Sequence, residues 1–282
     1  MSIITLTTDY GLKDHFVGAL KGKIISEFWD AKIIDISHYI DPFNILEASY
    51  ILSSAYSSFP KGTVHLIGVD IEKSNEYKHI VMQWNDHYFI CADNGILSRL
   101  AHTILPQKLF EITLHDRLLP NATDLDVFVK VACHIAKGGL LPVIGKEITT
   151  IKDITDLKPV VSDDKNSIKG FVIYIDHFGN IVTNITKKLF IEIGQNRNYE
   201  INLNEKKSFG KKNKITTVFS KYSDIANSGN FGLKNYEGEK LAVFNEAGFL
   251  EIAIFRSNAS TVGTASSLLG IGYRDFISVV FN

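Results

Sequence analysis

Three aspartates stand where apolar, β-branched runs stop: Asp9 after Ile3 to Thr7, Asp70 after Thr63 to Val69 and Asp176 after Phe171 to Ile175. A single Asp in such a place commonly caps a helix or closes a turn. Three of them, each beside a Gly or an aromatic, point to a site at the carboxyl ends of strands, where open α/β sheets bind ligands. The common nucleotide signatures are missing. No G-x-x-x-x-G-K-[ST] occurs, Thr8-Asp9-Tyr10-Gly11-Leu12 is no dinucleotide fingerprint, and Gly270-Ile271-Gly272 reads as a plain turn. Metal spacing is absent as well. There is no H-E-x-x-H, the nine histidines are scattered, and His65 and His134 lie in apolar runs as core histidines do. No G-x-S-x-G marks a serine nucleophile. What remains is a set of carboxylates, aromatics and amides. It predicts a nucleoside-like, weakly charged or cationic ligand, with no metal and no cofactor.

The elements that must position these residues alternate through the first half of the chain. Strands are expected at Ile3–Thr7, Lys32–Ile36, Thr63–Val69, Ile80–Trp84, Tyr88–Ala92 and Leu109–Ile112, with Asn85-Asp86 closing a hairpin. Helices are expected from an Asp14 cap to about Phe28, from Asp41-Pro42 to Tyr56, from about Ile96 to Ile104, and over Asp124–Lys137 before Gly138-Gly139. Such alternation predicts an α/β domain whose mostly parallel sheet is flanked by helices. Acidic and basic residues mix from Thr149 to Lys169, which places an N-terminal domain at 1–150, a linker at 151–169 and a C-terminal domain at 170–282. That second domain reads as smaller and mostly antiparallel β. Its strands are Phe171–Ile175, Ile181–Ile185, Tyr199–Leu203, Ile215–Phe219, Lys240–Phe244, Leu250–Phe255 and Phe276–Phe281. Helical patterns occur only at Lys187–Gly194 and Ser260–Leu269.

The chain has 282 residues, 45% hydrophobic and 22% charged, enough for one large or two unequal domains. Thirty basic against thirty-one acidic side chains leave a net charge of −1, which argues against a nucleic-acid partner. The lysines at 206, 207, 211, 212 and 214 read as a solvated loop. Cys91 and Cys133 form no C-x-x-C and sit in apolar runs, as expected in a reducing compartment. The start has no basic leader, and no apolar run reaches the roughly 18 residues of a membrane span. The expectation is a cytoplasmic enzyme without a membrane partner.

The stretch Thr7-Thr8-Asp9-Tyr10-Gly11-Leu12-Lys13-Asp14, with Val17-Gly18 and Lys21-Gly22, closely resembles the opening of the S-adenosylmethionine (SAM) hydroxide adenosyltransferases. These SAM hydrolases are relatives of the fluorinase and chlorinase enzymes. Further matching blocks follow in order. They are Ile36-Ser37-His38 with Asp41-Pro42-Phe43, Phe59-Pro60-Lys61-Gly62-Thr63, Gly68-Val69-Asp70, Asp93-Asn94-Gly95, Ile175 to Asn180 with Thr183-Asn184, and Phe244-Asn245 with Gly248 to Ala253. The resemblance implies a homotrimer of two-domain subunits with the site at the subunit interface. The implied reaction is nucleophilic substitution at the ribose 5′ carbon of SAM, which gives adenosine and L-methionine. By the same resemblance Asp9 would bind the ribose hydroxyls, Phe43 would pack on ribose and sulfonium, Phe178 would stack on adenine and Asn180 would read its edge. Asp176 and Asp14 would hold the methionine ammonium, while Glu246, Glu251 and the strand around Ile254 would line the adenine side.

The family's water-positioning Asp-Arg-His side chains are kept only in part. Asp70 retains the first and is the expected catalytic residue. The Arg position falls on Tyr77, beside Lys78, and the His position on Thr123. A lone Asp70 can still orient water and accept its proton. The alternatives are a non-catalytic SAM- or adenosine-binding protein, or adenosyl transfer to another nucleophile such as halide, which the Asp70 charge would repel.

Overall fold

A computed structural model describes residues 3–100, 106–154, 158–203, 214–228 and 232–282. The chain divides into two compact units, residues 1–155 and 156–282. The helical pattern over 101–104 and the lysines at 206, 207, 211 and 212 lie outside the described residues.

In the N-terminal unit the elements in chain order are β1 (Ile3–Thr8), α1 (Phe16–Glu27), β2 (Lys32–Ser37), α2 (Ile45–Ala55), β3 (Val64–Gly68), β4 (His79–Trp84), β5 (His87–Ala92), α3 (Ile96–Leu100), β6 (Lys108–Ile112), α4 (Asp124–Ala136) and β7 (Gly145–Glu147). The sheet order is β2-β1-β3-β5-β4-β6-β7. The first four of these strands run parallel. The hairpin at Asn85 and Asp86 then turns the chain back, so β4 pairs antiparallel with β5 and β6, and β6 with β7. The sheet is therefore mixed, with its parallel half carrying the strand ends of interest. Both hairpin residues take positive φ, 51° and 62°, as a two-residue turn that matches strand twist requires.

Alternate residues along the strands feed two cores, because successive side chains point to opposite faces. Ile4, Leu6, Val64 and Leu66 pack with Leu20 and Ile24 of α1 and with Val127, Phe128 and Val131 of α4. Ile67, Ile80, Met82 and Phe89 pack on the other side with Ala48 and Leu52 of α2 and Ile96 of α3. Each fully buried aliphatic side chain contributes roughly 1.5–3 kcal/mol, so these two layers fix the strand register. That register sets Thr8 opposite Gly68. His65 lies within the sheet at zero exposure, bonded to Thr5 Oγ1 at 2.7 Å, as its apolar run predicts.

Two helix starts in this unit differ from expectation. α1 begins at Phe16 with His15 at its N-cap and no side-chain cap, so Asp14 is an exposed turn residue. α2 begins at Ile45 and is capped by Asn44, whose side chain accepts the Glu47 N–H, and not by Asp41. Phe43 decides this, because its φ of 62° is left-handed and no right-handed helix can include it.

In the C-terminal unit come β8 (Val160–Val161), β9 (Ser167–Ile175), β10 (Ile181–Thr186), α5 (Lys187–Gly194), β11 (Tyr199–Leu203), β12 (Lys214–Ile215), β13 (Val218–Phe219), β14 (Lys240–Phe244), β15 (Phe249–Ile254), α6 (Ala265–Leu269) and β16 (Phe276–Phe281). One nine-stranded sheet runs β12-β11-β16-β9-β10-β15-β14-β13, with β8 on β9. Its pairings are antiparallel except β13 with β14. The stretch 151–169 is not all linker, since Val160 and Val161 pair with Lys169 and Ile168. The expected strand 215–219 is two short ones, and the helix expected from Ser260 is confined to α6, capped by Thr264.

Candidate functional site

The parallel register that sets Thr8 against Gly68 brings two loops side by side, one leaving β1 through Asp9 and one leaving β3 through Asp70. The approach is close at Gly68, where a Cβ would lie 3.0 Å from Thr8 Cγ2 and 3.4 Å from the Tyr10 hydroxyl, so a side chain there would press these neighbours back. Asp9 Oδ2 accepts the Phe43 backbone N–H at 3.0 Å, which the left-handed turn at Phe43 makes possible. Burial raises the Asp9 carboxyl above its ordinary range, and repulsion from Asp70 adds to it, against the lowering effect of that N–H. Burial, together with the Asp9 charge, pushes the neighbouring Tyr10 hydroxyl up to about 12.

Asp70 itself has φ 47°, a strained setting for a residue with a side chain. Asn94 holds it there: its Nδ2 donates to the carbonyls of Val69 and Asp70, both at 3.2 Å, and its Oδ1 accepts the Ile96 N–H at the start of α3. A matching support lies under the β1 end. Thr8 Oγ1 is 2.7 Å from His38 Nδ1, the His38 carbonyl accepts the Gly11 N–H at 2.7 Å, and His38 Nε2 is 3.1 Å from Asp35 Oδ1, near in distance but poorly aligned. Phe43 is 72% exposed. Core packing therefore does not explain this aromatic, and its face remains available to a ligand.

The C-terminal unit gathers a second set of expected residues. Between β9 and β10 the Asp176 carboxylate takes both donors of Asn180, the backbone N–H at 2.8 Å and Nδ2 at 2.9 Å. Gly179 turns the loop with φ 75°. Phe178 projects from it at 70% exposure, again outside any core. Glu251, in β15, is 4% exposed; it accepts from the Tyr222 hydroxyl and, at 3.2 Å, from Asn245 Nδ2. Burial raises its carboxyl, and the nearby Asp176 charge acts in the same direction. Glu246 is an exposed turn residue between β14 and β15. Ile254 is buried in the unit's core, so its side chain is packing and its strand can offer a ligand only main-chain groups.

The positions that differ from the family's water-positioning side chains all serve structural contacts. Lys78 Nζ pairs with Glu111 at 2.8 Å, the Tyr77 ring lies 4.1 Å under Lys152 Nζ, and Thr123 caps α4 in a reciprocal pair with Asp126. Sequence reading did not single out Tyr10, Asn94, Tyr222 or Asn245. Tyr10, Asn94 and Asn245 lay within quoted blocks; the bonds of Asn245 are local, to Phe249 and Glu251, whereas those of Asn94 run to Val69 and Asp70, which only the fold brings near.

Residues 4–145 match the SAM hydroxide adenosyltransferase N-terminal domain and residues 170–278 its C-terminal domain. The chain is 33% identical to the (R)-S-adenosyl-L-methionine hydrolase of Methanocaldococcus jannaschii, over 100% of this chain and 97% of that protein. It is 24% identical to the fluorinase of Actinopolyspora mzabensis over 65% of this chain and 71% of that one. A crystal structure of an uncharacterized conserved protein from Thermotoga maritima superposes with a TM-score of 0.82 at 31% identity, covering 98% of this chain and 99% of the other. Two matched domains spanning the strand ends, the Phe43 turn and the Asp176–Asn180 loop leave one conclusion: the chain belongs to the SAM hydroxide adenosyltransferase family.

Proposed function

We propose that this chain hydrolyses SAM to adenosine and L-methionine. The observation that carries the reading is the pair of carboxylates Asp9 and Asp70 on adjacent parallel strand ends, with the backbone N–H of the exposed Phe43 tied to Asp9. Water attacks the ribose 5′ carbon, the bond from that carbon to sulfur breaks, and sulfur keeps the electron pair as the methionine thioether. The sulfonium leaves readily, so the enzyme's work is placing water and taking its proton. Asp70 is the catalytic residue for both. Asp9 accepts from the ribose hydroxyls, since an ionised carboxylate offers two acceptor oxygens. Phe43 presents a π-face to the cationic sulfur.

Phe178 stacks on adenine. Asn180 contributes its carbonyl oxygen, because its amide nitrogen is committed to Asp176. Asp176 and Asp14 attract the methionine ammonium, Glu246 and Glu251 lie toward adenine, and Ile254 offers main-chain groups. SAM is the substrate and no cofactor is involved. The active form is a homotrimer with the site at the subunit interface, and it works in the cytoplasm. Among the described residues no helix is long and apolar enough to cross a membrane.

A second reading, a SAM- or adenosine-binding protein without turnover, draws on the structural commitments of Tyr77, Lys78 and Thr123. One assay separates the two. Purified protein is incubated with SAM, with and without chloride, and nucleosides are resolved by chromatography. Hydrolysis gives adenosine, and Asp70→Asn, which tolerates the left-handed backbone, lowers the rate by about 10²- to 10⁴-fold while adenosine still binds. No adenosine above the enzyme-free control, together with a bound nucleoside released on denaturation, would establish the binding protein, and a 5′-chlorinated product would move the assignment to halide transfer.

A further inference from the structure

Three side chains far apart in sequence converge at the back of the loop that leaves Asp70. His79 opens β4 at zero exposure, His115 lies in the 3-10 turn Leu114–Arg117, and Asp124 is the first residue of α4. One donor atom from each lies within 4.8 Å of the other two. His79 Nε2 is 2.7 Å from the Ile71 carbonyl, which can only accept, so this nitrogen carries the proton and Nδ1 presents a lone pair. That lone pair is 2.9 Å from His115 Nε2. Asp124 Oδ2 accepts the Lys73 backbone N–H at 2.9 Å, while Oδ1 lies 3.9 Å from His79 Nε2, so a shared ion requires Oδ1 to turn from the Nε2 side of the ring to the Nδ1 side.

We propose that His79, His115 and Asp124 form a binding site for a divalent first-row transition cation, with Zn²⁺ the best fit. Two imidazoles and one carboxylate are a borderline-soft N,N,O donor set; Mg²⁺ and Ca²⁺ prefer oxygen alone. Zn²⁺ sites of three protein ligands leave a fourth position for water. The outer bonds have the form that metal ligands use. A ligating histidine donates its other N–H to a carbonyl, here Ile71, and a ligating carboxylate is itself hydrogen-bonded, here to Lys73. The Phe128 ring, edge-on at 4.6 Å, forms an apolar wall beside His79. Replacing the His79–His115 hydrogen bond by two metal bonds of about 2.0–2.1 Å in tetrahedral geometry opens the nitrogens only to about 3.3 Å. The ligands belong to a strand, a 3-10 turn and a helix end, so one ion would pin these elements together and fasten Ile71 and Lys73, which follow Asp70. The site does not depend on which reaction the chain catalyses.

The test uses the full, untagged chain, stripped with a chelator and dialysed to equilibrium against Zn²⁺, with bound metal measured by elemental analysis. The wild type retains one equivalent. His115→Ala and Asp124→Asn, both half-buried positions that leave the core intact, each weaken the dissociation constant by more than the roughly 10- to 100-fold that loss of an outer partner costs. Co²⁺ in place of Zn²⁺ gives visible absorption bands in the wild type that both variants lose. Less than one equivalent in the wild type, or equal affinity in the variants, overturns the proposal.

Discussion

An aspartate meets an exposed phenylalanine in two places, where the loop after β1 touches the loop after β2 and within the single loop between β9 and β10, and the two are built differently. Asp9 takes its bond from Phe43, thirty-four positions along the chain and in another loop. Asp176 takes both of its bonds from Asn180, four positions away. The first is an arrangement made by the sheet, whose buried strands bring distant loops together. The second is a local motif that closes on itself. A carboxylate satisfied within its own loop serves mainly to hold that loop's shape. One held by a single long-range bond keeps acceptor capacity for a ligand.

The sharpest way to break the local motif is Gly179→Ala. The residue would have to hold φ 75° with a Cβ 2.2 Å from Thr264 Cβ. Left-handed strain and overpacking together cost about 3 kcal/mol. A thermal scan should show a midpoint lower by several degrees, roughly 2–4 °C per kcal/mol. An unchanged midpoint would mean that the loop is not the rigid closure described. In the β1 loop Gly11, at φ 64°, would suffer only the left-handed strain, because a Cβ there meets nothing within 4 Å.

Exchanging each aspartate for asparagine separates holding a loop from holding a ligand. In Asp176→Asn the new amide nitrogen faces a donor of Asn180, so about 1–3 kcal/mol of stability is lost. Asp9→Asn can still accept the Phe43 N–H through its amide oxygen and sheds a charge that burial disfavours, so stability holds. Its loss is in binding. Without the charged acceptor, worth about 1.5–3 kcal/mol, adenosine affinity falls roughly 10- to 100-fold by titration calorimetry. Wild-type affinity in this variant would remove Asp9 from the ribose contact.

The same contrast explains what could be read from the sequence. The Asp176–Asn180 loop, the Asn85-Asp86 turn and most strands are written in neighbouring residues, and the structure agrees with them closely. The starts of α1 and α2 fall later than the sequence predicts because Asp14 and Asp41 are good capping types, and nothing local marks the left-handed Phe43 that delays α2. The exposure of Phe43 and Phe178 was equally invisible, since an aromatic beside an apolar strand usually packs inside. The histidines read as scattered because His79 and His115 meet only through the antiparallel pairing of β4 with β6. Long-range convergence, the feature that distinguishes Asp9 from Asp176, is also the one that sequence spacing does not encode.

The finest test of that convergence is a pH dependence. Adenosine binding requires Asp9 ionised, so affinity is full above its folded-state pKa and is lost as pH falls through it. Burial raises that pKa and Asp70 raises it further by repulsion across the two strand ends. Asp70→Asn removes the second contribution alone, so the acid loss of adenosine affinity should move to lower pH while affinity at neutral pH stays the same. Titration calorimetry across the acid range measures both. A midpoint that does not move would mean that the two carboxylates are too well screened to sense each other, and that the β1 loop is as self-contained as its counterpart after β9.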